Sequence, residues 1–238
     1  MKFTGIIFVL PLLYADVIVF TAKKQLYLQD WLINDNTIVL KNQTLIKCSL
    51  DCAALDECTS ISYHKTTQEC IGVTSGYVVK PSTLGYESTG WSYYLVLDER
   101  CPEALGYVYS KAFNSCYKVH LSNNSLVYAD YSPLCESEGG ELMKIDSQEK
   151  QQHIVNHLGQ LDISVWIFFQ GMHLLSETPW RYNDDSVISY FNWHHTQPDS
   201  TTRTDPSEYL CMRRSNQYQW HDCWGTMKGA FICEISFE

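Results

Sequence analysis

The groups with most chemistry to offer lie late in the chain, where Gln197-Pro198-Asp199 and Trp220-His221-Asp222 set amide, carboxylate and imidazole side chains in two short runs. A hard cation such as calcium takes about six to eight oxygens, which carboxylates and amides supply. Imidazole suits zinc, copper or nickel better, so His194, His195 and His221 beside Asp222 offer a second chemistry, a transition-metal site or a zinc hydrolase. Nothing else supports that second chemistry: there is no His-Glu-X-X-His and no Gly-X-Ser-X-Gly, and if all ten cysteines pair no thiol is left as a nucleophile. His153 and His157 share the i, i+4 spacing of metal ligands, but no glutamate follows His153. Their helix needs a polar outer face, so both are expected to face solvent. The chain reads as a binding protein rather than an enzyme.

Ten cysteines among 238 residues, four before residue 100 and six after it, suit an oxidising compartment and five disulfides. Lys2 is followed by the short apolar run Gly5-Ile6-Ile7-Phe8-Val9-Leu10-Pro11-Leu12-Leu13, the pattern of a signal peptide within residues 1–22, with cleavage after Ala15 or after Ala22. The alternative is an uncleaved anchor, since apolar residues resume at Val17-Ile18-Val19-Phe20, but Asp16 interrupts the run at a real insertion cost. The expectation is a secreted, extracellular protein without a membrane span, glycosylated at the sequons of Asn42 and Asn123. With 17 Lys+Arg against 27 Asp+Glu the net charge is -10, the wrong sign for tracking a phosphate backbone or an anionic membrane, so nucleic acid is excluded as a partner.

Cys48, Cys52, Cys58 and Cys70 cluster in one stretch, and the next cysteine, Cys101, follows a long gap. Cys48, Cys52 and Leu55 fall at helical intervals, so one short helix presents both thiols on one face. Ile61 and Tyr63 alternate with Ser62 and His64, a polar Lys65-Thr66-Thr67-Gln68 turn follows, and Cys70-Ile71-Gly72-Val73 returns as a hairpin. Residues 23–98 resemble the apple or PAN module, a small helix on an antiparallel sheet. The resemblance implies the pairs Cys48–Cys70 and Cys52–Cys58, and leaves a role in protein contacts or self-association for this module. Asp98-Glu99-Arg100 is a very short connection to the second module, which begins at Cys101.

In that second module, Cys135 begins a run that ends at Gly139-Gly140 and continues into Glu141-Leu142-Met143-Lys144-Ile145, a helix stopped by glycine and then a strand. Asp146 or Ser147 then caps a helix through Leu158 with Ile154, Val155 and Leu158 as its inward stripe. These elements precede Val165-Trp166-Ile167-Phe168-Phe169-Gln170-Gly171, Trp180-Arg181-Tyr182-Asn183-Asp184-Asp185, Phe191-Asn192-Trp193, Gln197-Pro198-Asp199, Trp220-His221-Asp222-Cys223 and Phe231-Ile232-Cys233-Glu234. In this order they closely resemble the C-type lectin-like domain, over residues 101–236. The resemblance implies a disulfide-rich α+β fold, two helices with antiparallel sheets and a long loop region around Gly171 to Pro206. It also implies the pairs Cys101–Cys116, Cys135–Cys233 and Cys211–Cys223.

By the same resemblance, Gln197 and Asp199 flank a cis Pro198 and turn their oxygens to one calcium ion, which binds vicinal sugar hydroxyls. Asp222 and Glu208 complete the metal set, and the Gln-Pro-Asp order goes with galactose-type sugars. This sequence departs from the pattern in three places. His221 stands where the family has an amide oxygen, Glu208 comes one residue early relative to Cys211, and Cys223 follows Asp222 directly. The functional expectation is a galactose-type lectin that binds glycans or glycoproteins through Gln197, Asp199, Glu208, His221 and Asp222, with calcium as its cofactor. The runner-up is a calcium-independent lectin-like domain that recognises protein.

Overall fold

The computed structural model describes residues 5–9, 19–34, 37–74, 76, 84–121, 125–174, 179–199 and 207–237. Ala15, the sequon residue Asn123 and the loop stretch 200–206 lie outside them. Contacts divide the chain into Met1–Ser115 and Cys116–Glu238. Among the described residues no helix is long and apolar enough to cross a membrane.

The first unit contains β1 (Gly5–Val9), β2 (Val19–Lys24), β3 (Trp31–Ile33), β4 (Thr37–Leu40), α1 (Leu45–Ala54), β5 (Ser60–His64), β6 (Cys70–Val73), β7 (Gly85–Glu87), β8 (Trp91–Asp98) and β9 (Val108–Ser110). Thr44 caps α1, its hydroxyl accepting the Lys47 N–H at 3.3 Å, which satisfies one of the donors a helix start leaves open. The buried face of α1 carries Cys48 and Cys52, whose disulfides run to Cys70 on β6 and to Cys58. The main sheet has the order β1-β2-β8-β5-β6-β4, with β3 and β7 as a separate pair. Alternation buries Ile61 and Tyr63 under α1 with Cys48, Cys52 and Cys70. Gly72 is required at its position on β6, because a Cβ there would stand 2.9 Å from the Cys58 sulfur. Asn42 is exposed just ahead of the helix cap.

The second unit takes β10 (Ser115–His120), α2 (Tyr128–Ser137), β11 (Glu141–Leu142), α3 (Gln148–Leu158), β12 (Ile167–Leu174), β13 (Ser207–Met212), β14 (Trp220–Trp224) and β15 (Ala230–Ser236). Helix α2 stops where Gly139 turns to φ +85° and the Gly140 N–H returns to the Cys135 carbonyl at 3.0 Å. Cys135 is joined to Cys233 on β15. Cys101 and Cys116 are also disulfide-bonded. The strands run β14-β13-β12-β15-β10, with β11 on β15. The sheet is not wholly antiparallel: β12 and β15 pair parallel at Ile167↔Ala230 and Phe168↔Phe231, because the long loop, β13 and β14 intervene and no hairpin joins the two.

Helix α3 is capped by Ser147, whose hydroxyl accepts the Lys150 N–H at 3.2 Å. Its inward residues include Ile154 and Leu158, while Val155 is only half-buried. The expectation that His153 and His157 face solvent is overturned. His157 is buried, and both rings meet Tyr117 edge-on, with centroids 5.6 Å and 5.2 Å away. A neutral imidazole packs as a small aromatic plate, so the helix's polar face is narrower than the residue types suggest.

Candidate functional site

Antiparallel registers align the three strands that carry the site. On β12 and β13, His173 stands opposite Glu208; on β13 and β14, Glu208 stands opposite Trp224, Leu210 opposite Asp222 and Cys211 opposite His221. Side chains opposite each other share a face and alternate along a strand. Glu208, Asp222 and Trp224 therefore share one face with Leu210, and His221 goes to the other face with Cys211. Gly171, at φ +153°, lets the Leu210 side chain approach where any Cβ would collide.

Trp220 anchors the long loop over this sheet. Its fully buried indole donates to Gln151 Oε1 at 2.8 Å and packs on Phe169, Tyr190, Phe191 and Trp193. Its backbone N–H donates to Asn192 O at 2.7 Å and its carbonyl accepts the His194 N–H at 3.0 Å. One step further, the Gln197 N–H closes a turn on the His194 carbonyl at 2.8 Å, and the Gln197-Pro198 peptide is cis. The indole of Trp220 thus fixes where Gln197 is presented.

Gln197, His221 and Asp222 border one hollow of about 180 Å³, together with Trp166, Cys223, Trp224 and Met227. That volume is below the usual range of about 300–1,000 Å³ for small-molecule pockets, which suits one ring lying against a rim rather than a swallowed ligand. Asp222, only 3% exposed, is held by its surroundings: its N–H donates to Gln197 Oε1 at 3.4 Å and its Oδ2 accepts the Asp199 N–H at 3.1 Å. Asp199 itself is exposed. The imidazole of His221 stacks on His194 at 5.0 Å and meets Trp166 edge-on at 5.0 Å, so His194 is packed as well, while His195 is exposed. Arg213 lies over the Trp166 ring at 4.9 Å.

Among the described residues, the carboxylates expected to hold calcium do not converge as a trio. Among the described residues, the His, Cys, Asp and Glu trio whose ligand atoms come within 4.8 Å of one another is His120, Glu138 and Cys233, not Asp199, Glu208 and Asp222. Glu208 is fully buried, with Oε2 3.4 Å from His173 Nδ1, and belongs to the sheet interior. His221 brings a nitrogen where an oxygen would serve. The other trio is no metal centre either: Cys233 is in its disulfide, and Glu138 accepts from Lys118 at 2.7 Å and pairs with His120 at 3.0 Å.

Three contributors escaped the sequence reading. Trp224, 48% exposed, supplies the apolar rim; Trp166 and Met227 supply walls. A tryptophan next to a cysteine at a strand's exposed end was the available signal for the first. His173 was not legible as the neighbour of Glu208, since the two meet only through the register.

A helix pair, a Cys135–Cys233 bond to the last strand and a long loop ending in a cis-proline turn beside a second disulfide define a C-type lectin-like domain. Residues 124–235 match the family model of the lectin C-type domain, and residues 22–95 that of the PAN domain. The chain carries a PAN domain followed by a C-type lectin domain. A perlucin-like protein of Mytilus galloprovincialis is 29% identical over 129 residues, 52% of this chain and 79% of that protein. C-type mannose receptor 2 of Mus musculus is 29% identical over 115 residues, 46% of this chain but only 7% of the receptor. The carbohydrate-recognition domain of mouse scavenger receptor C-type lectin, 25% identical, superposes with a TM-score of 0.47 over 58% of this chain and 98% of that domain.

Proposed function

We propose that the chain is a secreted lectin, not an enzyme, whose C-terminal domain binds glycans bearing galactose-type sugars without calcium. One observation carries the reading: Gln197, Asp222 and the half-exposed Trp224 border the same hollow. A galactose ring has one face of C–H groups and an opposite set of hydroxyls. The first packs on an indole and the second bonds to amide and carboxylate oxygens. The Gln197-Pro198-Asp199 order, which in the resembling lectins goes with galactose through a calcium ion, is the ground for naming galactose, and His221 in place of an oxygen ligand supports binding by contact and hydrogen bonds alone.

The secreted, disulfide-intact chain is expected to be retained on immobilised galactose, to stay bound in a chelator, and to elute with free galactose. Trp224→Ala should weaken binding about tenfold, about 1.4 kcal/mol, with unchanged thermal unfolding because the indole is at the rim. Release by the chelator would reinstate calcium. Absence of retention on any glycan would leave protein recognition as the reading of the same surface.

A further inference from the structure

We propose that removal of the leader after Ala15 opens the β2 edge of the PAN sheet, and that a second copy of the chain pairs with it to make a dimer. This rests on the reading of the first fifteen residues as a leader. In the full chain β1 lies on that edge, with Gly5↔Lys23, Ile6↔Ala22, Ile7↔Thr21, Phe8↔Phe20 and Val9↔Val19 in antiparallel register. The edge therefore accepts a strand, and the strand seated there comes from the segment that secretion would discard.

The choice between the two cleavage points follows from the other side of β2. Phe20, Thr21 and Ala22 pair with Asp98, Leu97 and Val96 of β8, and Lys23 and Lys24 with Leu95 and Tyr94. Cleavage after Ala22 would strip three of these five pairs from the sheet. Cleavage after Ala15 leaves β2 whole and its outer edge bare.

The ladder shows which backbone groups that edge offers. The Gln25 N–H donates to Tyr93 O at 2.9 Å. In an antiparallel ladder alternate pairs exchange both bonds, so Lys23 and Thr21, two and four residues before Gln25, also bond β8. The N–H and C=O groups of Phe20, Ala22 and Lys24 therefore point away from β8. Without β1 they form a row of open donors and acceptors, which is a template for another strand.

The occupant that best fits this row is the same strand from a second copy. A two-fold axis normal to the sheet keeps both core faces on one side only if residues of like parity meet, for example Ala22 opposite Ala22. In that register Thr21 stands opposite Lys23 of the second copy, and Phe20 opposite Lys24 of the second copy, so no lysine faces a lysine. Two-fold dimers with self-complementary interfaces are the commonest assembly, and two lectin domains on one dimer would raise avidity for a clustered glycan.

The test uses the full chain expressed through a secretory pathway, with N-terminal sequencing and the mass measured by light scattering from about 1 to 100 µM. The expected result is an N-terminus at Asp16 and a mass that rises from one chain mass towards twice that value across this range. Ala22→Pro, which deletes an outward N–H, should give the single-chain mass with unchanged retention per domain on galactose, whereas Thr21→Pro should damage folding by removing a bond to β8. Hydrogen exchange on the unaltered protein provides a check free of any substitution. The amides of Phe20, Ala22 and Lys24 should exchange at least tenfold more slowly at the high concentration than at the low one. An intact Met1 would overturn the leader reading itself. An Asp16 start with single-chain mass throughout, or fast exchange at those three amides in a dimer, would overturn the pairing and leave the leader reading standing.

Discussion

Trp220→Ala is expected to lower the stability of the lectin domain by about 4 kcal/mol and to abolish retention on galactose, although Trp220 does not line the hollow. Truncating a buried aromatic to alanine costs about 3–5 kcal/mol, because lost transfer energy adds to an unfilled cavity. Here the indole is fully buried, and its loss also leaves Gln151 Oε1 without its donor in the interior. The functional part follows from the chain of bonds that the indole supports. Asn192, His194 and then Gln197 hang on the Trp220 backbone and on the stack of Phe191 and Trp193 against its ring. Once the ring is gone, the turn that carries Gln197 and Asp199 has no fixed position beside Asp222. Trp220→Phe separates the two effects: it refills most of the volume, loses the bond to Gln151, and should cost about 1–2 kcal/mol with measurable binding. Urea unfolding followed by a lectin-domain probe reads the first quantity and galactose retention the second. A loss below about 1 kcal/mol for the alanine variant would mean that the loop is held by something other than this ring.

The contrast between Trp220 and Glu208 shows what could be read from the chain alone. Trp220 sits in a locally recognisable run, and a tryptophan ahead of a strand cysteine is core wherever the strand goes. The same locality made the cysteine-bearing helix α1, the β5–β6 hairpin and the Ser147 cap legible, since each rests on residues within one or two turns of one another. Glu208 is different. Which neighbours its carboxylate meets depends on the register of β13 against both β12 and β14, and a residue-type argument cannot supply that register. Glu208 enters the ligand set through the resemblance, and the register places it in the sheet beside His173. His221 and Asp222, neighbours in sequence, do border one hollow with Gln197, but from opposite faces of the strand, since only Asp222 shares a face with Leu210. Trp224 was missed for the complementary reason: its partners, Gln197 and Trp166, are distant in sequence.

Acidification is the second large effect, and it arises from the two histidines on α3. Burial holds both rings neutral, bringing His153 and His157 down to about 4, helped by the charge of Lys150 for the first and by His153 for the second. In the unfolded chain each returns to its ordinary value near 6.5. Between those values the unfolded state binds more protons than the folded one, so stability rises with pH across the window and is fully present above about 6.5. As pH falls it is lost progressively, and the loss levels off below about 4. At about 1.4 kcal/mol per unit, each ring accounts for up to about 3 kcal/mol, with the pair giving less than twice that because the rings share one environment and their charges interact. Burial lowers His120 too, so it adds in the same direction. Carboxylates held low by partners, such as Asp184 beside Lys144 and Ser186, act only at still lower pH. The urea midpoint of the lectin domain should therefore fall steeply between pH 6.5 and 4.5. His157→Phe keeps an aromatic edge for Tyr117 and removes one of the titrating rings, so it should flatten that fall by about half. An equal fall in the variant would place the acid sensitivity elsewhere, and a flat midpoint in the unaltered protein would show that both rings take up protons without leaving the fold.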